Sequence, residues 1–135
     1  MHKPIATAAV DRFELSVSDL NRARDFYINV LGFQLLAELP ARLVLSNGCV
    51  TLTLITIVEP EQAIPRGGDQ KRIGLDRVSF RVDRYAELER AVRLLDGRGI
   101  AHGEIQSLAP QHLYVLALRD PDDIRLELSV AYSEI

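Results

Sequence analysis

The side chains best suited to chemistry in this 135-residue chain are arginines and carboxylates on two strand-like segments. Residues 11–17 and 76–82 both alternate apolar and polar positions, as half-buried strands do. Both begin with an Asp-Arg pair, and Arg77 follows Arg12 by 65 residues (77 − 12). A guanidinium is a permanent cation that binds carboxylate or phosphate through two hydrogen bonds. The pattern therefore indicates a site for an anionic group.

The same alternation assigns the polar side chains of these segments to one sheet face and the apolar ones to the other. Aligning residues 50–55 with residues 124–129 puts Thr53 at the position of Glu127, 74 residues later (127 − 53). We predict that the polar positions line one ligand-binding cleft. The predicted cleft residues are Arg12, Glu14, Thr53, Arg77, Ser79, Arg81 and Glu127.

The charges of this set allow three interpretations. Glu127 could neutralise Arg12 or Arg77 while Glu14 neutralises Arg81, and the set would then be structural. Burying several charges is costly unless each finds a partner, so a free Arg12 or Arg77 would instead recognise an anionic ligand. In a metal-free enzyme, Glu127 or Glu14 would act as a general base while an arginine stabilises an oxyanion. Whether the chain is an enzyme stays open, and Glu127 is the catalytic candidate.

A second group of candidate residues contains His102, Glu104 and His112. The i, i+2 spacing of residues 102 and 104 places both on one strand face, and their chemistry suits zinc or iron. Histidines in such a chain are more often surface or hydrogen-bonded residues. No metal and no other cofactor is therefore predicted.

Composition limits the class of protein and its partners. The length fits one domain, and the net charge of −3 argues against a nucleic-acid binder. No apolar run is long enough to span a membrane. Cys49 is the only cysteine, which excludes an intrachain disulfide and fits a reducing, cytoplasmic location. The expected partner is a small molecule.

Each first strand is followed by a helical pattern and then by three strand patterns. The expected helix N-caps are Ser18 or Asp19 and then Asp83, and glycines end both helices at Gly32 and at Gly97 or Gly99. Strands are predicted at residues 33–38, 42–46, 50–56, 101–106, 113–118 and 124–130. Residues 47–48 and 120–123 are predicted turns.

This order predicts a single domain over residues 1–135 with two βαβββ modules. Module one covers about residues 10–58, a linker about 59–74, and module two about 75–132. A ferredoxin-like arrangement is the alternative, and it would need a βαβ–βαβ order with fewer hairpins.

Two motifs resemble a known superfamily. Residues 17–27 read Val-Ser-Asp-Leu-Asn-Arg-Ala-Arg-Asp-Phe-Tyr and continue to Leu31-Gly32-Phe33, and residues 120–122 and 125–128 read Asp-Pro-Asp and Arg-Leu-Glu-Leu. Together they resemble the vicinal-oxygen-chelate proteins, which include glyoxalases, bleomycin resistance proteins and extradiol dioxygenases. The resemblance covers nearly the whole chain. It implies an α+β fold whose two modules form curved mixed sheets around a cleft, with the helices outside, and in many members a homodimer.

The resemblance also implies where a metal would be held. In metal-binding members the ligands occupy one position in the first strand and one in the last strand of each module. Carried over, these positions are Arg12, Thr53, Arg77 and Glu127. Only Glu127 is a usual ligand, because arginine has no lone pair for a cation. Metal-dependent glyoxalase or dioxygenase activity is therefore disfavoured.

The resulting prediction is a glyoxalase- or bleomycin-resistance-like protein that lacks the usual metal ligands and binds a small anionic molecule in an Arg-lined cleft. The alternative is an enzyme of the superfamily, such as a lyase, isomerase or dioxygenase. It would be metal-free with Glu127 as acid or base, or would hold an atypical metal site.

Overall fold

The computed structural model describes residues 3–56 and 73–134. The chain divides into two compact units, residues 1–61 and 62–135, and each contains its own four-stranded sheet. The predicted linker, about residues 59–74, lies almost entirely outside the described residues.

The first module has the predicted βαβββ order. Its elements are β1 (Arg12–Val17), α1 (Leu20–Asp25), a π-helical turn (Phe26–Val30), β2 (Gln34–Leu39), β3 (Arg42–Ser46) and β4 (Thr51–Thr56). The strand order in the sheet is β1-β4-β3-β2. The strands β1 and β4 are parallel, whereas the other two pairs are antiparallel. The first and last strands of the module are therefore neighbours, so polar residues on β1 and β4 can lie on one sheet face, as the sequence predicts.

Alternating apolar residues form the core of this module. Val17 on β1 and Leu52 and Leu54 on β4 are completely buried. Tyr27, from the π-helical turn, is also completely buried, and its ring meets that of Phe33 edge to face at 6.0 Å. Burying each such side chain contributes about 1.5–3 kcal/mol, which anchors the helical segment to the sheet.

Local capping explains the boundaries of these elements. The Asp19 carboxylate accepts a hydrogen bond from the Arg22 backbone N–H at 3.1 Å, so Asp19 rather than Ser18 is the N-cap of α1. In the turn between β3 and β4, Asn47 Oδ1 accepts hydrogen bonds from the backbone N–H groups of residues 49 and 50, both at 2.9 Å. Gly48 has φ +92°, a conformation that favours glycine. Both sequence predictions are confirmed.

The second module repeats the arrangement of the first. Its elements are β5 (Val78–Arg81), α2 (Tyr85–Gly97), β6 (Gln106–Leu108), β7 (Leu113–Arg119) and β8 (Arg125–Ala131). The strand order is β5-β8-β7-β6, with β5 and β8 parallel and the other pairs antiparallel. Three strands follow the helix in each module, so the ferredoxin-like alternative is wrong.

The pairing registers of the two sheets confirm the repeat. Glu14 stands opposite Thr53 in the first sheet, and Ser79 stands opposite Glu127 in the second. The first members of these pairs are 65 residues apart and the second members 74, the same offsets that the sequence gives. The structure therefore places Thr53 and Glu127 at equivalent positions of their modules.

Two predicted features of the second module are wrong. Helix α2 begins at Tyr85, so its N-cap is Arg84, and no side chain caps it. Asp83 lies one residue too early to reach the free N–H groups of the first turn. Residues 101–106 do not form a continuous strand, because only an isolated bridge joins His102 to Leu118 before β6 begins at residue 106. Gly103 interrupts this segment, and glycine weakens a strand interior.

The turn before β8 is held by a buried carboxylate. Asp120 is only 5% exposed, and its Oδ1 accepts hydrogen bonds from the backbone N–H groups of Asp122 and Ile124, both at 2.9 Å. Asp123 adopts the left-handed conformation with φ +68°. The predicted turn at residues 120–123 is confirmed, and it brings Arg125 and Glu127 into register on β8.

No helix in the described part of the chain is both long and apolar enough to cross a membrane.

Candidate functional site

The second sheet has an apolar face and a polar face. Helix α2 packs against the apolar face, where the Tyr85 ring meets that of Tyr114 on β7 at 4.9 Å. On the polar face, Ser79 stands opposite Glu127 and Arg81 stands opposite Ser129. We define the basic face as the polar side of this sheet with the adjoining Asp76 and Arg77; its members are Asp76, Arg77, Ser79, Arg81, Arg125, Glu127 and Ser129.

A chain of alternating charges runs along the basic face. Arg125 Nη1 lies 2.9 Å from Asp76 Oδ1, and Asp76 Oδ2 accepts a hydrogen bond from Arg77 Nε at 3.1 Å. Arg77 Nη1 then lies 3.5 Å from Glu127 Oε1. Two guanidinium groups and two carboxylates balance each other in this chain. Arg77, one of the two predicted anion-binding arginines, is thus already paired.

Arg81 is an arginine of the basic face that does not take part in this chain of charges. It is exposed, and it forms no ion pair or hydrogen bond with any residue of segments 3–56 and 73–134. Its neighbour across the strands is Ser129, whose hydroxyl oxygen accepts a hydrogen bond from Ser79 at 3.0 Å. Arg81 therefore stands beside two hydroxyl groups with its positive charge uncompensated by the described residues.

Glu127 has unused capacity to accept hydrogen bonds. Its residue is 9% exposed, yet within the described residues no group donates a hydrogen bond to its carboxylate. The contact of 3.5 Å with Arg77 is longer than the 2.7–2.9 Å or so of a charge-assisted hydrogen bond. In the described part of the chain, no fully buried side-chain oxygen or nitrogen lacks a hydrogen-bond partner, so a Glu127 oxygen without one is accessible at the surface.

The first module contributes three of the predicted residues. Glu14 stands opposite Thr53, and Arg12 stands opposite Thr51. Arg12 and Glu14 are exposed and have no ion pair among the residues that the structure describes, whereas Thr53 is only 4% exposed. Glu14 and Thr53 thus share the polar face of the first sheet.

The second candidate group is not assembled into a metal site. Each ring nitrogen of His102 lies 2.6 Å from an acceptor, Nε2 from Asp96 Oδ1 and Nδ1 from the Gly103 carbonyl. The Asp96 carboxylate, and then the Gly103 carbonyl, raise the pKa of His102 above its ordinary value. Both ring nitrogens of His102 are thus already in contact with other groups of the second module. Across residues 3–56 and 73–134, no group of three or more His, Cys, Asp or Glu side chains is placed to hold a metal ion.

The residues at the family's ligand positions also do not fit a metal ion. They are Arg12 and Thr53 in the first module and Arg77 and Glu127 in the second. Within the second module, the Arg77 guanidinium itself lies beside the Glu127 carboxylate. A permanent cation therefore occupies the neighbourhood in which a second ligand would be needed.

Sequence reasoning missed three members of the basic face, namely Asp76, Arg125 and Ser129. The alternation of β8 places Arg125, Glu127 and Ser129 on one side, so the positions of Arg125 and Ser129 could have been predicted from the sequence. The position of Asp76 could not, because Asp76 bridges Arg77 and Arg125 across 49 residues of sequence.

Several proteins of known structure share this fold. A glyoxylase/bleomycin resistance protein/dioxygenase domain from Frankia sp. EAN1pec is 24% identical with a TM-score of 0.77, covering 93% of this chain and 99% of that chain. A lactoylglutathione lyase from Agrobacterium tumefaciens is 21% identical with a TM-score of 0.70, covering 91% and 93%. TnmS3, an antibiotic binding protein from a Streptomyces species, is 25% identical with a TM-score of 0.68, covering 93% and 97%.

No curated protein sequence matches the chain significantly. Residues 9–128, however, match the sequence pattern of one family. The match extends from the start of the first module into β8, and the two βαβββ modules agree with it. The chain therefore belongs to the Glyoxalase/Bleomycin resistance protein/Dioxygenase superfamily, the vicinal-oxygen-chelate proteins.

Proposed function

We propose that this protein binds a small organic anion at the basic face, without a metal, in a sequestering, carrier or sensing role. The observation that carries the proposal is the uncompensated charge of Arg81. Arg77 and Arg125 both have acidic partners on the same face, whereas Arg81 has none among the described residues. A carboxylate, phosphate or sulfonate of a ligand would supply the missing negative charge.

The two serine hydroxyls strengthen the case for an anion beside Arg81. Ser79 donates its hydrogen bond to the hydroxyl oxygen of Ser129. The hydroxyl hydrogen of Ser129 is then available for another acceptor, since no second hydrogen bond of this group is found in the described part. A ligand anion could accept from Arg81 and Ser129 together.

The relatives are compatible with a binding role. One of the similar structures is an antibiotic binding protein, at 25% identity. In the first module, Arg12, Glu14 and Thr53 occupy positions equivalent to those of Arg77, Ser79 and Glu127, and we propose that they form a ligand-binding surface of that module.

Replacing Arg81 tests the proposal. Arg81→Ala should weaken binding of anionic ligands by about tenfold or more, since a hydrogen bond to a charged group contributes on the order of 1.5–3 kcal/mol. Binding would be found by thermal shift with a panel of aromatic acids and phosphorylated metabolites and then measured by calorimetry. Arg93→Ala is the matched control, because Arg93 is exposed on α2 and has no ion pair within the described residues. Equal losses in the two variants would contradict a specific role for Arg81.

A metal-free enzyme is the second candidate function. The observation that favours it is the Glu127 carboxylate, which is largely buried and has unused acceptor capacity. Such a group could take a proton from a bound substrate while an arginine stabilises the resulting anion. Glu127→Gln should then abolish turnover of any substrate that the protein still binds. A variant with unchanged turnover would exclude Glu127 as the base.

We further propose a cytoplasmic homodimer. The resemblance to the superfamily supports the dimer, and the exposed thiol of Cys49 fits a reducing compartment. Sedimentation equilibrium would measure the mass directly, and a monomer at micromolar concentration would contradict the dimer.

A further inference from the structure

We infer that the ligand carries a hydrogen-bond donor at the end opposite its anionic group, and that Glu127 selects for this donor. The inference rests on the proposed function, in which Arg81 holds the anion. It identifies the ligand class as a small carboxylate with a hydroxyl or amino group across an apolar body.

The first step of the argument is the state of Glu127. Its residue is 9% exposed, and no described residue donates a hydrogen bond to its carboxylate. An ionised carboxylate has about four acceptor sites and no donor. It therefore attracts an O–H or N–H group and repels a second carboxylate. A ligand anion would avoid Glu127 and a ligand donor would seek it.

The second step is that Arg77 does not satisfy Glu127. Its Nε donates to Asp76 Oδ2 at 3.1 Å, and its Nη1 lies 3.5 Å from Glu127 Oε1. No described residue donates a hydrogen bond to the Glu127 carboxylate. Arg77 thus lies beside the carboxylate without a hydrogen bond to it, and the acceptor sites remain for a ligand.

The third step is the spacing of the two recognition groups. Arg81 stands opposite Ser129, and Glu127 precedes Ser129 by two residues on the same strand face. Two residues of a strand span roughly 6–7 Å. The backbone positions of Glu127 and Ser129 are therefore separated by about the width of a benzene ring, which favours a ligand whose donor and anion are not on neighbouring atoms.

The fourth step is the surface between these groups. On the neighbouring strand β7, Ala117 stands opposite Glu127 and Val115 stands opposite Ser129. Ala117 is exposed, whereas Val115 is only 5% exposed. The apolar surface that a ligand could reach beside Glu127 is therefore that of Ala117, and a flat apolar body such as an aromatic ring would lie against it. The expected class is a para-hydroxy or para-amino aromatic carboxylate.

Calorimetry with the full chain and two probes tests this inference. 4-Hydroxybenzoate carries the donor, whereas 4-methoxybenzoate has a similar shape without it. The wild-type protein should bind the hydroxyl compound about tenfold more tightly or better, because the hydrogen bond is made to a charged group. 2-Hydroxybenzoate should lack this advantage, since its donor lies beside the anion.

Variants of Glu127 locate the preference. Glu127→Leu should bind the two para compounds with affinities within about threefold of each other. Glu127→Gln is the second variant, to be used if the leucine variant does not fold. It should show a clearly reduced preference for the hydroxyl compound. Glu89→Gln is the control, because Glu89 is exposed on α2 and has no ion pair among the described residues. It should keep the wild-type preference.

The possible outcomes separate this inference from the proposed function. Equal binding of the two para compounds by the wild-type protein overturns the inference, while the function stands provided that Arg81→Ala weakens both. Wild-type preference retained in both Glu127 variants also overturns the inference. If neither compound binds at millimolar concentration, both the inference and the proposed site for aromatic anions are overturned.

Discussion

The two ring nitrogens of His102 both contact hydrogen-bond acceptors, and these contacts raise its pKa. Its Nε2 lies 2.6 Å from Asp96 Oδ1 at the end of α2, and its Nδ1 lies 2.6 Å from the Gly103 carbonyl. Neutral imidazole can donate only one hydrogen bond, whereas imidazolium donates two. Protonation therefore satisfies both acceptors at once, and the pKa of His102 is raised by Asp96 first and by Gly103 second.

This geometry predicts a pH-dependent contribution to stability. The pKa of His102 is higher in the folded protein than the value of about 6.5 in the unfolded chain. Protonated His102 therefore stabilises the fold fully at pH below about 6.5, and this stabilisation is lost as the pH rises through the folded pKa. Asp96 is 66% exposed, so Asp96→Asn should lower the free energy of unfolding by less than about 1 kcal/mol. Urea unfolding of the wild-type protein and of Asp96→Asn, from below the unfolded pKa of His102 to above its folded pKa, would measure the difference in free energy of unfolding. Glu89→Gln is the control. A difference that grows with pH would contradict the assignment.

The residues of the basic face show how much of a site can be predicted from sequence. The alternation of residues 76–82 and 124–130 was sufficient to place Ser79, Arg81 and Glu127 on one face. Which arginine of this face lacks an acidic partner could not be predicted from the sequence. Arg12 or Arg77 was the expected anion-binding residue, but Asp76 pairs with both Arg77 and Arg125. Ion pairs depend on side-chain positions to within a few ångströms, which periodicity does not specify.

At the scale of elements, the sequence predicted strands by alternation and turns by their special residues. Asn47-Gly48 and residues 120–123 are turns because side-chain oxygens accept backbone hydrogen bonds there. The π-helical turn at Phe26–Val30 was not predicted, since the apolar residues of this segment fit an ordinary helical face equally well. Segment 101–105 is not a continuous strand because only His102 pairs with β7 before Gly103 interrupts it.

The two helix starts give a prediction at this scale. Asp19 caps α1 through the Arg22 N–H, whereas Asp83 precedes α2 without capping it. Asp19→Ala should lower the free energy of unfolding by about 0.5–2 kcal/mol, the usual loss for an N-cap. Asp83→Ala should change it by less than about 0.5 kcal/mol. Denaturant unfolding of the two variants measures both values, and equal losses would show that capping is not the cause.

At the scale of the whole molecule, the same division between apolar core positions and polar positions recurs in the two modules. Buried apolar residues maintain each module, among them Val17, Leu52 and Leu54 in the first and Leu126 and Val130 in the second. Arg12 and Arg77 are exposed, whereas Thr53 and Glu127 are buried. Substitution of either arginine should therefore cost the core less than substitution of Thr53 or Glu127.

The donor set at those four positions predicts that the protein does not depend on a metal. In the first module, Arg12 and Thr53 offer a divalent ion no strong ligand, and in the second module Arg77 would repel such an ion from Glu127. Elemental analysis of the purified chain should therefore find zinc, iron, nickel and manganese well below one equivalent. Addition of EDTA or of excess Zn²⁺ should leave the Tm unchanged, because an ion bound only by the folded state would raise it. A metal retained at one equivalent through dialysis, with a Tm that falls on chelation, would contradict this prediction and make the superfamily's metal-dependent reactions the better account of the protein.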